Sequence, residues 1–225
     1  MTKPASRKTQ SERIRQMVIA GMLSAIVAVL TFTPIGMIPL PPPLPSATMV
    51  HIPVLLAVLV EGPAVGLTVG LVFGLCSCIR AWETGMVGLT LFFRNPIISV
   101  LPRLLVPLAA YGLWALWKKA ARQNALTDKL GAAIASAAGA AVNTVLCLGL
   151  ISLIYGGDLT AMLNEMITAG NADAAYLNNA GAWLVAVVGL PNGVAEAIVA
   201  AVIVPIIKTA VDTVTRRTRR TAKKR

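Results

Sequence analysis

The sequence predicts an all-α integral membrane protein with six transmembrane helices and both termini cytoplasmic. Three observations carry that prediction. Hydrophobic residues make up 56% of the 225-residue chain, charged residues only 13%, and the mean hydropathy is +0.76; a soluble domain carries about 25% charged residues. The apolar residues fall into separate segments divided by polar, glycine- or proline-bearing breaks. Finally, 17 of the 20 basic residues lie in three clusters, Lys3 to Arg15, Lys118 to Lys129 and Lys208 to Arg225. Six spans put all three on one side, which is the positive-inside pattern. The same placement argues against nucleic acid as a partner despite a pI near 10.2, because the bases flank apolar segments instead of forming one patch. Anionic membrane lipid is the expected contact of the basic tail.

Residues 1–12 read as a basic cytoplasmic tail, 13–210 as the membrane domain and 211–225 as a second basic tail. The first helix is expected from about Arg13 to Phe32. A loop from Thr33 to Ser46 follows, with six prolines between Pro34 and Pro45; proline donates no backbone hydrogen bond, so this run should be extended and stiff. The second helix is expected over Ala47 to Val60 and the third over Pro63 to Ile79, with Glu61-Gly62-Pro63 as the turn. The second, about 21 Å long, is short for an unaided span. The third carries Gly66, Gly70 and Gly74 at four-residue spacing after Gly62, a side-chain-free ridge that lets another helix approach closely. Arg80 to Asn95 reads as a mixed loop holding a short interfacial helix. The fourth helix is expected from Pro96 to Trp117 and the fifth from Asp128 to Tyr155. Gly156 to Ala180 reads as a polar connection, and the last helix as Gly181 to Thr209. The first apolar run lacks a small-x-small exit site and reads as a retained helix, not a cleaved signal.

Several chemistries find no support. No G-x-x-x-x-G-K-[ST], H-E-x-x-H or G-x-S-x-G motif occurs, so ATP or peptide hydrolysis by this chain is not expected. Cys76, Cys78 and Cys147 sit in apolar segments and His51 is the single histidine. The residues therefore predict no metal site and no cofactor. His51 reads as packed or interfacial, or as a ligand.

Ionisable groups inside spans are costly and usually face a cavity or a partner. Arg103 falls about 10 Å into the fourth helix. Asn143 lies near the middle of the fifth, and Asn192 and Glu196 share a face of the sixth. This set admits an Arg103–Glu196 ion pair or a polar floor to a binding cavity. Arg94 and Asn95 stand at the entrance to the fourth helix, where a cation can meet an anionic solute or snorkel to headgroups. Trp82, Phe92, Phe93 and Trp183 are interfacial aromatics or walls of a pocket. In the first helix, Ala20, Ser24 and Ala28 form a small-residue row with Gly21 and Ala25 beside it. It suits packing within the chain or docking of another membrane subunit.

The blocks ATMVHIPVLLAVLVEGPAVGLTVGLVFGL, FFRNPIISVLPRLLVPLAAYGLW, AAVNTVLCLGLI and PNGVAEAIVAAVIVP, in that order behind a small-residue helix and a proline-rich loop, resemble the S components of energy-coupling factor (ECF) vitamin transporters. The resemblance spans about residues 13–210 and is closest to the pantothenate-type branch. It implies a six-helix subunit of the bacterial cell membrane that binds a vitamin near the outer surface. A transmembrane coupling subunit and two ATPase subunits would supply energy, docking on Ala20, Gly21, Ser24, Ala25 and Ala28. Pantothenate is a carboxylate with an amide and hydroxyls; Arg94 and Arg103 are the bases placed to meet the anion, and Asn95, Asn143 and Asn192 could bond the rest. S components for folate, riboflavin or pyridoxine share the scaffold. An intramembrane enzyme and a purely structural subunit are the competing classes; the first lacks a nucleophile–base or metal constellation, and the second does not account for the intramembrane polar residues.

Overall fold

The computed structural model describes residues 10–38, 47–83, 88–121 and 124–222. Most of the proline-rich run, the first nine residues, Arg122 and the last three residues lie outside the described residues. The helices are α1 (Gln10–Phe32), α2 (His51–Glu61), α3 (Pro63–Ala81), α4 (Pro96–Ala120), α5 (Ala125–Thr168), α6 (Ala180–Trp183) and α7 (Leu190–Ala222). A π-helical stretch, Leu184–Gly189, fuses α6 and α7 into one rod. Five of the resulting rods are long and apolar enough to cross a membrane, and α2 is a shorter apolar helix.

Several boundaries differ from the sequence reading. The second helix opens at His51, not Ala47; Ala47–Thr48 instead pair antiparallel with Met37–Ile38. This two-residue ladder holds the two ends of the first loop side by side. The fifth helix does not end at Tyr155. It bends there, where φ is −121° and ψ 26°, and continues to Thr168. Ile151, Leu159 and Leu163 on one stripe are all buried, and that stripe carries the helix past Gly156-Gly157. It also starts earlier, because Asn124 and Thr127 form a reciprocal capping box. The last helix runs beyond Thr209 into the basic tail. In the Arg80–Asn95 loop, the expected short helix is the 3₁₀ segment Gly88–Arg94.

The α2–α3 hairpin turns on one residue. Gly62 has φ +96° and leaves its neighbours on helices running opposite ways. Eight of the eleven residues of α2 are buried. Because this short helix is enclosed by others, its ends need not reach the lipid boundary unaided. The glycine ridge packs inside the chain. A Cβ on Gly70 would lie 2.5 Å from the Arg103 carbonyl oxygen, and one on Gly74 2.7 Å from Val100 Cα. These glycines set α3 backbone-to-backbone against α4, which in turn packs on α5, itself packed on α7. Arg15 of α1 pairs with Glu61, and Lys208 pairs with Asp128 at 2.9 Å and Asp212 at 2.8 Å. These pairs gather at one end of the bundle, here the basic end; the opposite end carries the long loops.

The core has two parts. One lies toward the basic end and joins α1, α2, α3, α4, α5 and α7, with Val27, Leu55, Val69, Val106, Ala135 and Val204 among its members. The other lies at the loop end, built from Ile98, Ile151, Leu159, Leu163, Trp183 and Leu184 with Phe92 and Tyr155 against it.

Candidate binding site

Between these two apolar clusters lies a polar layer. In α4, Ser99 and Arg103 fall between Ile98 of the loop-end cluster and Val106 of the basic-end cluster. In α5, Asn143 and Cys147 fall between Ala140 and Ile151, and in α7, Asn192 and Glu196 fall between Val188 and Ala200. Ser77 of α3 and His51 of α2 complete it. Each helix departs from apolar periodicity at the same level, so the layer belongs to the bundle and not to one helix.

Arg103 is the centre of the layer, and the sequence of α4 shows how it is held. Pro102 has no N–H, which leaves the Ile98 carbonyl without its helical donor. Arg103 Nη1 donates to that carbonyl at 2.9 Å. Nη1 also donates to Cys147 Sγ at 2.9 Å, and Nη2 to Ser77 Oγ at 3.5 Å. The guanidinium lies 4.8 Å from the Phe93 ring centre and 5.2 Å from that of Phe73, at cation–π distance. It is 5% exposed, and no carboxylate among the described residues lies within ion-pair distance of it. Of the two readings of this set, the Arg103–Glu196 ion pair is not formed among the described residues. A guanidinium has five N–H donors; three are used, and the buried Nε–H has no partner. A buried cation with neutral acceptors, ring faces and spare donors has the chemistry to receive an anion.

Glu196 serves a different connection. Its Oε1 accepts from the Thr48 backbone N–H at 2.8 Å and from the Thr48 hydroxyl at 3.0 Å. This ties the return of the first loop to α7. The helical hydrogen-bond ladder changes close by: the π-helical stretch ends one turn before Asn192, and Pro191 has no N–H to donate to it. Asn192 Oδ1 is buried without a partner. His51, three residues after Thr48, is 0% exposed; its ring lies close to Glu196 and to the Thr48 backbone, and neither nitrogen makes a hydrogen bond of ordinary geometry. On the Arg103 side, Cys147 Sγ donates to Asn143 Oδ1 at 3.7 Å.

Of the sequence-predicted residues, Arg103, Asn143, Asn192 and Glu196 come together in this layer. Asn95 lies above it, capping α4 through the Ile97 N–H and donating from Nδ2 to the Tyr155 hydroxyl at 3.3 Å. Trp183 is buried in the loop-end cluster. Arg94 and Trp82 do not join the layer. Trp82 is 65% exposed, and the Arg94 guanidinium stacks 5.0 Å from its ring while Nε donates to the Ala81 carbonyl. A shallow groove along α5, lined by Ala161, Asn164, Glu165, Thr168 and Ala169, is likewise separate from the layer. The sequence assigns no role to Thr48 or Ser77, reads Cys147 only as a thiol in an apolar segment, and leaves His51 open between packing and ligation. On α1, Ala20, Ser24 and Ala28 are half-buried against the bundle, whereas Gly21 and Ala25 are exposed and a Cβ on Gly21 would meet nothing within 4 Å.

Comparison with known proteins agrees with this architecture. Over 167 residues the chain is 29% identical to the pantothenic acid transporter PanT of Lactococcus lactis subsp. cremoris (strain MG1363), which covers 68% of this chain and 79% of that protein. Residues 15–208 match the family described as ECF transporter, substrate-specific component. That match takes in every helix and the whole polar layer, so this multi-pass membrane protein belongs to the ECF transporter substrate-specific component family, whose members are transport subunits and not enzymes.

Proposed function

We propose that this subunit captures pantothenate at the outer face of a bacterial cell membrane and delivers it inward when docked to a transmembrane coupling subunit and two ATPase subunits. Both termini and the basic end face the cytoplasm in this reading, and the loop end faces out. The observation that carries it is Arg103: a buried cation with no carboxylate partner among the described residues and an unpartnered Nε–H. An isolated ion is expensive in a medium of low polarity, and a solute carboxylate is the complement. Asn143 beside it and Asn192 on α7 suit the amide and hydroxyls of the same solute. The similarity to PanT supports pantothenate specifically. Arg94 at the exposed rim would act as a steering cation. On α1, Gly21 and Ala25 offer the open part of a docking face, with Ala20, Ser24 and Ala28 behind them.

Native mass spectrometry of the purified protein for a retained small molecule, followed by binding assays with pantothenate, folate, riboflavin and pyridoxine, tests the proposal. Pantothenate should be retained or bound in preference to the others. Preferred binding of riboflavin or pyridoxine, which lack a carboxylate, would remove the anion site as well as the substrate. Folate binding would keep the anion site and remove pantothenate.

A further inference from the structure

The polar layer has two ends with different chemistry. The Arg103 end is cationic. The other is formed by Glu196, Thr48, His51 and Asn192, and two of these side chains carry buried polar atoms without a hydrogen bond of ordinary geometry. His51 is wholly buried and neither nitrogen makes such a bond, and Asn192 Oδ1 is buried and unpartnered. Both are tied to the same place. Asn192 is one turn from Glu196 on one face of α7. His51 is three residues from Thr48, whose amide and hydroxyl sit on Glu196 Oε1. Leaving a buried donor or acceptor unmade is costly, and three such atoms in one region point to a ligand that satisfies them. A neutral imidazole offers one donor and one acceptor, and an amide oxygen offers acceptance only. A hydroxyl, which donates and accepts, answers both, and pantothenate carries two at the end away from its carboxylate. The Glu196 carboxylate at this end would repel a second anion.

We infer that His51 and Asn192 are specificity-determining contacts for a hydroxyl-bearing, uncharged end of the solute, opposite the carboxylate held at Arg103. This rests on the proposed binding function and adds an orientation to it: carboxylate toward α3, α4 and α5, hydroxyls toward α2 and α7.

The test is a cycle of two ligands and four proteins, with affinities measured by titration calorimetry in detergent. The ligands are pantothenate and its analogue with both hydroxyls replaced by hydrogen. The proteins are wild type, His51→Phe and Asn192→Leu, with His51→Gln as the variant that keeps a donor and an acceptor. Wild type should prefer pantothenate by about tenfold or more, the worth of one to two neutral hydrogen bonds. His51→Phe and Asn192→Leu should each lose about tenfold for pantothenate and little for the dideoxy analogue. His51→Gln should recover part of the loss. Equal loss for both ligands in both variants would mean a packing role and overturn the inference, while leaving the carboxylate site intact. Equal wild-type affinity for the two ligands would also overturn it. Failure of wild type to bind pantothenate would overturn the functional proposal and this inference together. If His51→Phe does not fold, the Asn192→Leu arm decides alone.

Discussion

Replacing Arg103 by glutamine should abolish recognition of the solute's carboxylate without abolishing the fold. The structure sets the size of the effect. Three of the five guanidinium N–H groups are committed to Ile98, Cys147 and Ser77, which leaves two, one of them the buried Nε–H. Charge-assisted hydrogen bonds contribute about 1.5–3 kcal/mol each. Taking the lower figure for each of two bonds gives about 3 kcal/mol, or roughly 150-fold in Kd. Glutamine keeps an uncharged polar donor in the layer, so the substitution removes the charge with the least change in polarity. The assay is titration of wild type and Arg103→Gln with pantothenate and with its neutral alcohol analogue, in which the carboxylate is a CH₂OH group. Wild type should discriminate between them by about 100-fold, and the variant by less than about fivefold. Arg103→Lys should fall between, since lysine keeps the charge but not the planar fork. A folded Arg103→Gln protein that still binds pantothenate within threefold of wild type, or still discriminates the two ligands as wild type does, would refute the reasoning.

Other perturbations separate the remaining roles. Arg94→Ala should lower the association rate severalfold at low ionic strength and little at high salt, because an exposed cation steers more than it binds; stopped-flow binding at two salt concentrations checks this, and a large salt-independent loss of affinity would place Arg94 in the site proper. Gly70→Ala should destabilise the protein by about 1–3 kcal/mol, since its Cβ would lie 2.5 Å from the Arg103 carbonyl oxygen; thermal unfolding in detergent reads the loss. Gly21→Leu should leave unfolding and solute binding unchanged, because nothing lies within 4 Å of that position. It should weaken co-purification with the coupling subunit, and normal assembly would show that this face of α1 does not dock.

What the sequence could reveal depended on how far apart the interacting residues are. The α2–α3 hairpin was legible because Glu61-Gly62-Pro63 is a local signal and the glycine spacing is a helical one. Even there, the partner of the ridge was not: Gly70 meets the backbone of Arg103 in α4, and no local pattern states that. The start of α2 was misread because Ala47 and Thr48 suit a helix as well as a strand. What decides them is the ladder to Met37–Ile38 and the Glu196 carboxylate, 148 residues away from Thr48. The extension of α5 was hidden for a different reason. Gly156-Gly157-Asp158 looks like a stop, yet Ile151, Leu159 and Leu163 keep a helical stripe on either side of it. A burial stripe outweighs two poor helix formers when the stripe has a cluster to pack against.

The polar layer was partly visible because its members are costly where they stand. Arg103, Asn143, Asn192 and Glu196 stand out because each breaks an apolar run where breaking it is expensive. The obvious electrostatic inference from that list was to pair the two charges. The structure satisfies Glu196 with Thr48 and leaves Arg103 with neutral partners. Prolines explain part of this: Pro102 supplies Arg103 with a carbonyl from its own helix, which is readable in the spacing of Ile98, Pro102 and Arg103. An arginine held by its own helix and two neighbouring side chains needs no internal carboxylate to stay in place. Its charge therefore remains available, and a transport subunit that must release its cargo is better served by that arrangement than by an ion pair the solute would first have to break.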